Sequence, residues 1–124
     1  MNKLGSLVPK QSKKISNLMA ATHYAVVLVT APDLRTARRL AKFVLDDRLV
    51  ACVNLVPKME SHYWWKGKIE SGGETLLIMK TRRSKLAKLE KTIKSRHPYE
   101  TPEFLVLPLQ AGSKAYLGWI SKNC

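Results

Sequence analysis

The chain has 124 residues, of which 45% are apolar and 25% charged, with 22 Lys or Arg against 9 Asp or Glu. That length allows one domain with one hydrophobic core, and the composition excludes a chain that is disordered throughout. The two cysteines exclude a disulfide framework and a four-cysteine zinc site. No apolar run approaches the roughly 18 residues of a membrane span. The net charge of +13 attracts anions without specifying a fold.

Residues 1–22 are interpreted as a flexible basic tail, and residues 23–124 as the folded domain. The first 32 residues contain four lysines and no acidic residue. The tail lacks the apolar stretch of a secretory signal, so we expect a cytoplasmic protein. The absence of acids and the presence of serines leave a mitochondrial presequence as the alternative, although every base in the tail is Lys rather than Arg.

The domain begins with a predicted strand and helix. Residues 24–30 are apolar at odd-numbered and even-numbered positions alike and rich in β-branched side chains. This pattern is typical of a strand buried on both faces, because alternate residues point to opposite faces. Asp33 is a good N-cap for the amphipathic helix predicted over residues 34–45. The solvent face of that helix is basic and carries Arg35, Arg38, Arg39 and Lys42.

A long hairpin follows. Residues 51–56 predict a second strand, which Pro57 interrupts, as a bulge or an edge position would allow, and which resumes over residues 61–65. Lys66–Gly67 predicts a tight turn. Residues 71–73 predict a bulge or loop before a third strand over residues 74–81. Because the hairpin is longer than most strands, we expect its tip to project from the domain as an arm.

The second half predicts a helix, a strand and a short final helix. Ser84 is predicted to cap a helix that packs Leu86, Leu89 and Ile93 inward, and His97–Pro98 ends it. A fourth strand is predicted over residues 103–109. Ser113 then caps a short amphipathic helix. The outward face of the second helix carries Lys85, Lys88, Lys91 and Lys94.

The order of strand, helix, strand, strand, helix and strand predicts an α+β, ferredoxin-like βαββαβ fold with both helices on one face of the sheet. Three of the strands are apolar at both parities, so the other sheet face would be a large apolar patch in a monomer. Val27 is assigned to that second face. A second copy of the same sheet is the simplest cover, and a closed ring of subunits is favoured over an open fibre.

Six stretches occur in the order found in a known protein family: Val29–Asp33, Arg48–Pro57, Tyr63–Glu70, Glu74–Thr81, His97–Glu103 and Tyr116–Trp119. On these motifs the chain resembles the CutA divalent-cation tolerance family over about residues 24–121. The resemblance implies a ferredoxin-like homotrimer with its sheets packed inward and a non-enzymatic role in tolerance of divalent metals, chiefly copper. The alternative is a PII-like signalling or assembly scaffold acting through its arm, as in animal relatives linked to acetylcholinesterase anchoring.

The resemblance also implies a metal site that this chain carries only in part. Some bacterial relatives bind copper through a Cys before the Thr-Ala-Pro motif and two consecutive His before the Pro-Tyr motif. Those positions are Val29, Arg96 and His97 here, so only His97 is kept as a candidate ligand. No cofactor is required, and divalent copper is the candidate ion. The alternative for His97 is a residue that complements the dipole at a helix C-terminus.

Polar residues near the predicted strand ends form a candidate ligand cleft or subunit interface. Carboxylates and an imidazole suit a metal ion, whereas a lysine and a phenol suit an anion, and subunit junctions are common ligand clefts. The alternative is an interface hydrogen-bond network, with Cys52 as a small buried residue and the two tryptophans as interface packing. The candidates are Cys52, Trp64, Trp65, Glu74, Lys80, Thr81, His97, Tyr99, Glu100 and Glu103.

Other function classes have little support in the sequence. A Cys52–His97 nucleophile pair has no motif behind it, and Gly72–Gly73 lacks the Lys-Ser or Lys-Thr of a phosphate loop. RNA-recognition modules stack bases on aromatic residues of the central strands, which are aliphatic here. We therefore expect no sequence-specific nucleic-acid binding and no membrane span. The basic surface predicts only loose, salt-sensitive association with polyanions.

Overall fold

The computed structural model describes residues 18–124. This part of the chain is a mixed α+β structure with a four-stranded and a two-stranded antiparallel sheet. A short 3₁₀ turn, Arg83–Lys85, precedes the second helix. The elements in chain order are β1 (Leu18–Ala20), β2 (Tyr24–Ala31), α1 (Leu34–Asp46), β3 (Cys52–Trp65), β4 (Lys68–Arg82), α2 (Leu86–Arg96), β5 (Leu105–Pro108), β6 (Ala111–Ser113) and α3 (Lys114–Asn123).

The four-stranded sheet has the strand order β3–β4–β2–β5. From β2 to β5 the elements follow the predicted order of strand, helix, strand, strand, helix and strand, so the predicted α+β pattern is confirmed. In the inner part of the sheet Val27 of β2 lies opposite Met79 of β4 and Val106 of β5. This register places side chains of three strands on the same face.

The hydrophobic core lies between this sheet and helices α1 and α2. It joins Val27 of β2 and Leu77 of β4 to Leu40 of α1 and to Leu89 and Ile93 of α2, all of which are buried. The assignment of Val27 to the second sheet face is therefore wrong. Hydropathy could not decide its face, because both parities of β2 are apolar and only the packing of the helices distinguishes them.

Helix α3 packs against Tyr24 and Leu109 at one end of the second face of the four-stranded sheet, whereas α1 and α2 lie on the other face and leave the centre of this second face exposed. Val26 and Leu28 of β2 point to this face and are half-buried, whereas Leu105 and Leu107 of β5 are 53% and 45% exposed. We call this surface the open sheet face. Its apolar character agrees with the prediction that two helices would leave one face of the sheet without a partner.

The hairpin arm is formed by antiparallel pairing of β3 with β4 from Cys52–Lys80 to Trp65–Lys68, with one irregularity. The predicted interruption at Pro57 is confirmed, since the register shifts between Val56 and Met59. Lys66 and Gly67 both have positive φ (50° and 78°), as a two-residue turn of the primed type requires. The predicted break at residues 71–73 is wrong, because these residues pair in register with β3 and the ladder passes through them.

Two predicted caps have different outcomes. Ser113 accepts a hydrogen bond from the Tyr116 backbone N–H at 3.2 Å and caps α3 as predicted. Ser84 does not cap α2, because it lies inside the 3₁₀ turn, and no side chain caps α2. The fourth strand is shorter than predicted, since only Leu105–Pro108 pairs with β2.

The two-stranded sheet joins β1 to β6 beside α3. Residues 1–17 of the predicted tail lie outside the described residues, but its boundary at residue 22 is wrong because Leu18–Ala20 forms a strand. Ala21 is buried and donates its N–H to the Gln110 carbonyl at 3.2 Å. The residues of β1 and their partners in β6 are more than 90 residues apart in sequence. The sequence around β1 therefore carries no local signal for this strand.

The open sheet face leads to a prediction about assembly. We expect sedimentation of the wild-type chain to give about three times its mass of 14.0 kDa, and Leu107→Asp to abolish assembly. Burial of an unpaired carboxylate in the subunit contact costs several kcal/mol. The matched control is Leu45→Asp on α1, which lies away from the sheet and is exposed. A cooperative wild-type monomer, or equal effects of the two substitutions, would contradict the prediction.

Candidate functional site

Glu74, Tyr99 and Glu103 form a group that we call the acid–phenol cluster. Glu74 lies on β4 with the parity of the open sheet face. Tyr99 and Glu103 come from the loop that joins α2 to β5. The Tyr99 hydroxyl donates to Glu74 Oε2 at 3.2 Å. The structure therefore brings together three of the residues that the sequence placed in a ligand cleft.

The electrostatics of the cluster are those of negative charges held close together. Partial burial raises the pKa of Tyr99 to about 12, and the charge of Glu74 and its hydrogen bond with the phenol add to the effect. Burial, followed by repulsion from Glu74, raises the pKa of Glu103. Asp33 adds a smaller contribution at Tyr99; the sequence identified Asp33 only as a helix cap. The cluster therefore favours a ligand that carries positive charge.

His97 is buried and holds two backbone segments together. Its Nε2 lies 2.7 Å from the Thr30 carbonyl oxygen, and its Nδ1 accepts the Tyr99 backbone N–H at 3.0 Å. A carbonyl only accepts and an amide N–H only donates, so these partners select the neutral tautomer with its proton on Nε2. The imidazole thus fixes the backbone of Tyr99 beside Glu74.

The three positions of the implied copper site do not form a ligand set in one protomer. Val29 is a buried core residue. The guanidinium of Arg96 lies over the ring of Phe43, 4.1 Å from its centroid. Both nitrogens of His97 are occupied. Among residues 18–124 no three His, Cys, Asp or Glu side chains are placed to hold a metal ion. The geometry therefore gives no support to a copper site on His97, which stays a prediction.

Cys52 and Lys80 belong to a second polar group, on the open sheet face. They lie opposite each other in the β3–β4 ladder. The Lys80 ammonium donates to Asn54 Oδ1, and the Cys52 thiol lies 3.8 Å from the same oxygen. Sequence reasoning missed Asn54, although its position two residues after Cys52 indicated a shared strand face. Thr81 is buried on the opposite face, where its hydroxyl donates to the Leu49 carbonyl at 2.6 Å and joins β4 to the end of the α1–β3 connection.

The remaining predicted residues are exposed. Trp64 and Trp65 occupy opposite faces of the arm tip and are 72% and 59% exposed. The Lys66 ammonium lies 5.7 Å from the ring centroid of Trp65. Glu100 is an exposed loop residue two positions before Pro102. In the described protomer these side chains present surface rather than a pocket.

Comparison with known proteins assigns the family. A family model described as "CutA1 divalent ion tolerance protein" matches residues 25–123. The chain belongs to the CutA1 family. Its resemblance to CutA in the sequence motifs is thereby confirmed, and the family is named for tolerance of divalent ions rather than for a reaction.

Curated relatives and solved structures agree with this assignment. The chain is 47% identical over 102 residues to the divalent-cation tolerance protein CutA of Escherichia coli K12, which covers 82% of this chain and 91% of the relative. It is 43% identical over 98 residues to the chloroplastic CutA of Arabidopsis thaliana, covering 79% of this chain but only 54% of the relative. The structure matches the periplasmic divalent cation tolerance protein CutA from Archaeoglobus fulgidus with a TM-score of 0.78 at 40% identity, over 81% of this chain and 97% of that one.

The names of the relatives do not support the predicted compartment. One relative is called chloroplastic and another periplasmic, so cytoplasmic location stays a prediction. None of the helices in residues 18–124 has the length and apolar character needed to cross a membrane.

The hydrogen bonds of His97 lead to a prediction about stability. We expect His97→Ala to lower the free energy of unfolding by about 1–3 kcal/mol, because it leaves a buried carbonyl and a backbone N–H without partners. His62→Ala, at an exposed position of the arm, is the control and should change stability by less than about 0.5 kcal/mol. Urea denaturation measures both. Nitrogen NMR of the wild-type imidazole should show the proton on Nε2, and a proton on Nδ1 would contradict the assignment.

The Tyr99 phenol leads to a prediction about pH. Ultraviolet titration should show one tyrosine with a pKa of about 12, and Glu74→Gln should move it towards the ordinary value of about 10. The folded phenol keeps its proton where the unfolded phenol has lost it, so this contribution to stability falls as pH rises from about 10 to 12. Glu100→Gln is the control in the same loop. An unchanged titration in Glu74→Gln would show that Glu74 does not raise this pKa.

Proposed function

We propose that the chain serves divalent-cation tolerance without catalysing a reaction, by binding a divalent cation at the acid–phenol cluster of a homotrimer. The observation that carries the proposal is the hydrogen bond that joins Tyr99 to Glu74 at 3.2 Å, next to the carboxyl of Glu103. Partial burial and the charge of Glu74 raise the pKa of Glu103. A divalent cation between the two carboxylates would remove the repulsion and stabilise both in the ionised form.

The donor set favours a hard or borderline cation. Two carboxylates and a phenol offer oxygen ligands, which suit ions such as Mn²⁺ better than a soft ion. One protomer supplies fewer protein ligands than a closed metal site, so water or a neighbouring subunit would complete the coordination. The implied preference for copper has less support, because the imidazole of His97 is held by two backbone groups.

The homotrimer is proposed from the open sheet face. This face presents apolar residues of β2, β4 and β5, and Leu105 and Leu107 are each about half exposed. Glu74 shares the parity of this face with Leu76 and Ile78. A neighbouring copy that covers the face would therefore approach the cluster and could add ligands to it.

The cation site can be tested by calorimetry with Mn²⁺, Zn²⁺ and Cu²⁺ on the full chain. We expect Glu74→Gln and Glu103→Gln each to weaken binding at least tenfold, because each removes one charged ligand. Glu100→Gln, on the same loop, should bind as wild type does. Binding should also strengthen as pH rises through the raised pKa of Glu103, since the cation competes with its proton.

Two results would contradict this site. Unchanged affinity in both Glu74→Gln and Glu103→Gln would show that the cation binds elsewhere. Loss of Cu²⁺ binding in His97→Ala, with stability and the Tyr99 titration preserved, would instead favour the histidine site implied by the family resemblance.

A further inference from the structure

The outer surface of the helices is strongly basic. Helix α1 and residues 83–96 contain ten Lys or Arg and two acidic residues. Nine of these bases are exposed and Lys85 is half-buried. Among the described residues, this surface has one ion pair, Lys42 with Asp46 at 2.9 Å. We call this surface the basic helical layer; its bases are Arg35, Arg38, Arg39, Lys42, Arg83, Lys85, Lys88, Lys91, Lys94 and Arg96.

The basic helical layer presents positive charge but no free apolar face and no free aromatic ring. The apolar faces of both helices are used in the core, where Leu40, Val44, Leu89 and Ile93 are buried. The only aromatic side chain of the two helices is Phe43, and the guanidinium of Arg96 covers its ring. The layer therefore has neither an apolar face to insert into lipid nor a free aromatic ring on which single-stranded bases could stack.

We propose that the basic helical layer binds the phosphate backbone of double-stranded nucleic acid without sequence preference. Charge alone supplies essentially all of non-specific binding to a duplex, and charge is what the layer presents. Helix α1 has 13 residues and is about 20 Å long, which corresponds to roughly a dozen phosphate charges of a duplex. The layer lies on the opposite side of the sheet from the open sheet face, so assembly through that face leaves it accessible.

Fluorescence anisotropy of the full chain with two labelled 20-base-pair duplexes of unrelated sequence tests this proposal. We expect equal affinity for both duplexes and, for about four phosphate contacts, a roughly hundredfold loss of affinity between 50 and 200 mM salt. The triple substitution Lys88→Gln, Lys91→Gln and Lys94→Gln should weaken binding at least tenfold. It should also reduce the slope of the logarithm of affinity against the logarithm of salt concentration by about one for each lost phosphate contact.

A matched control removes the same number of lysines from the arm. Lys58→Gln, Lys66→Gln and Lys68→Gln together should leave binding within about twofold of wild type. A second control replaces the four lysines of residues 1–14 with Gln, which keeps strand β1 intact. The proposal requires that this variant retain salt-dependent binding, and that adding the α2 substitutions to it weaken that binding at least tenfold.

Three results would overturn the proposal. Equal losses in the arm and α2 variants would show that only net charge matters. Retention on phosphatidylglycerol–phosphatidylcholine vesicles without duplex binding would assign the layer to a membrane surface. Tight, salt-resistant or sequence-selective binding would place the contact on a different surface. None of these readouts depends on the acid–phenol cluster, so the two proposals fail independently.

Discussion

Strands β2 and β4 are apolar on both faces, but helices α1 and α2 cover one face and α3 covers only an end of the other. The covered face forms the core around Val27, Leu40 and Leu77. The other face leaves Leu105 and Leu107 about half exposed. A monomer of this size would carry an apolar patch that soluble monomers rarely expose. This imbalance is the physical basis for proposing a homotrimer and for expecting a ligand site at its subunit contacts.

The acid–phenol cluster lies at the margin of that same open face, and its geometry depends on a residue that faces away from solvent. His97 joins the end of β2 to the loop after α2 through two backbone hydrogen bonds. Tyr99 then reaches Glu74, whose charge acts on both Tyr99 and Glu103. The histidine that motif comparison implies as a ligand is thus, in this protomer, a positioning residue for a cluster of oxygen donors.

Charge is distributed unequally over the protein. The acid–phenol cluster concentrates carboxylates beside the open sheet face, whereas the basic helical layer concentrates cations on the opposite side of the sheet. Because the layer has one internal ion pair among the described residues, most of its charge is available to an external partner. A cation at one surface and a polyanion at the other could therefore bind at the same time, and each site can be altered without changing the other.

Features that depend on neighbouring residues could be predicted before the structure. The Asp33 and Ser113 caps and the Lys66–Gly67 turn follow from local backbone chemistry. So does the order of elements from β2 to β5, because hydrophobic periodicity is also local. Tertiary structure alone decided that Val27 faces the helices, that β1 pairs with β6, and that His97 bonds to Thr30, 67 residues away in sequence. Lys80 shares the face of Glu74 but lies six residues farther along β4. Tertiary structure also placed Thr81 on the opposite face of the sheet from the cluster, because pairing across strands sets the face of each side chain, and such long-range contacts leave no local signal in the sequence.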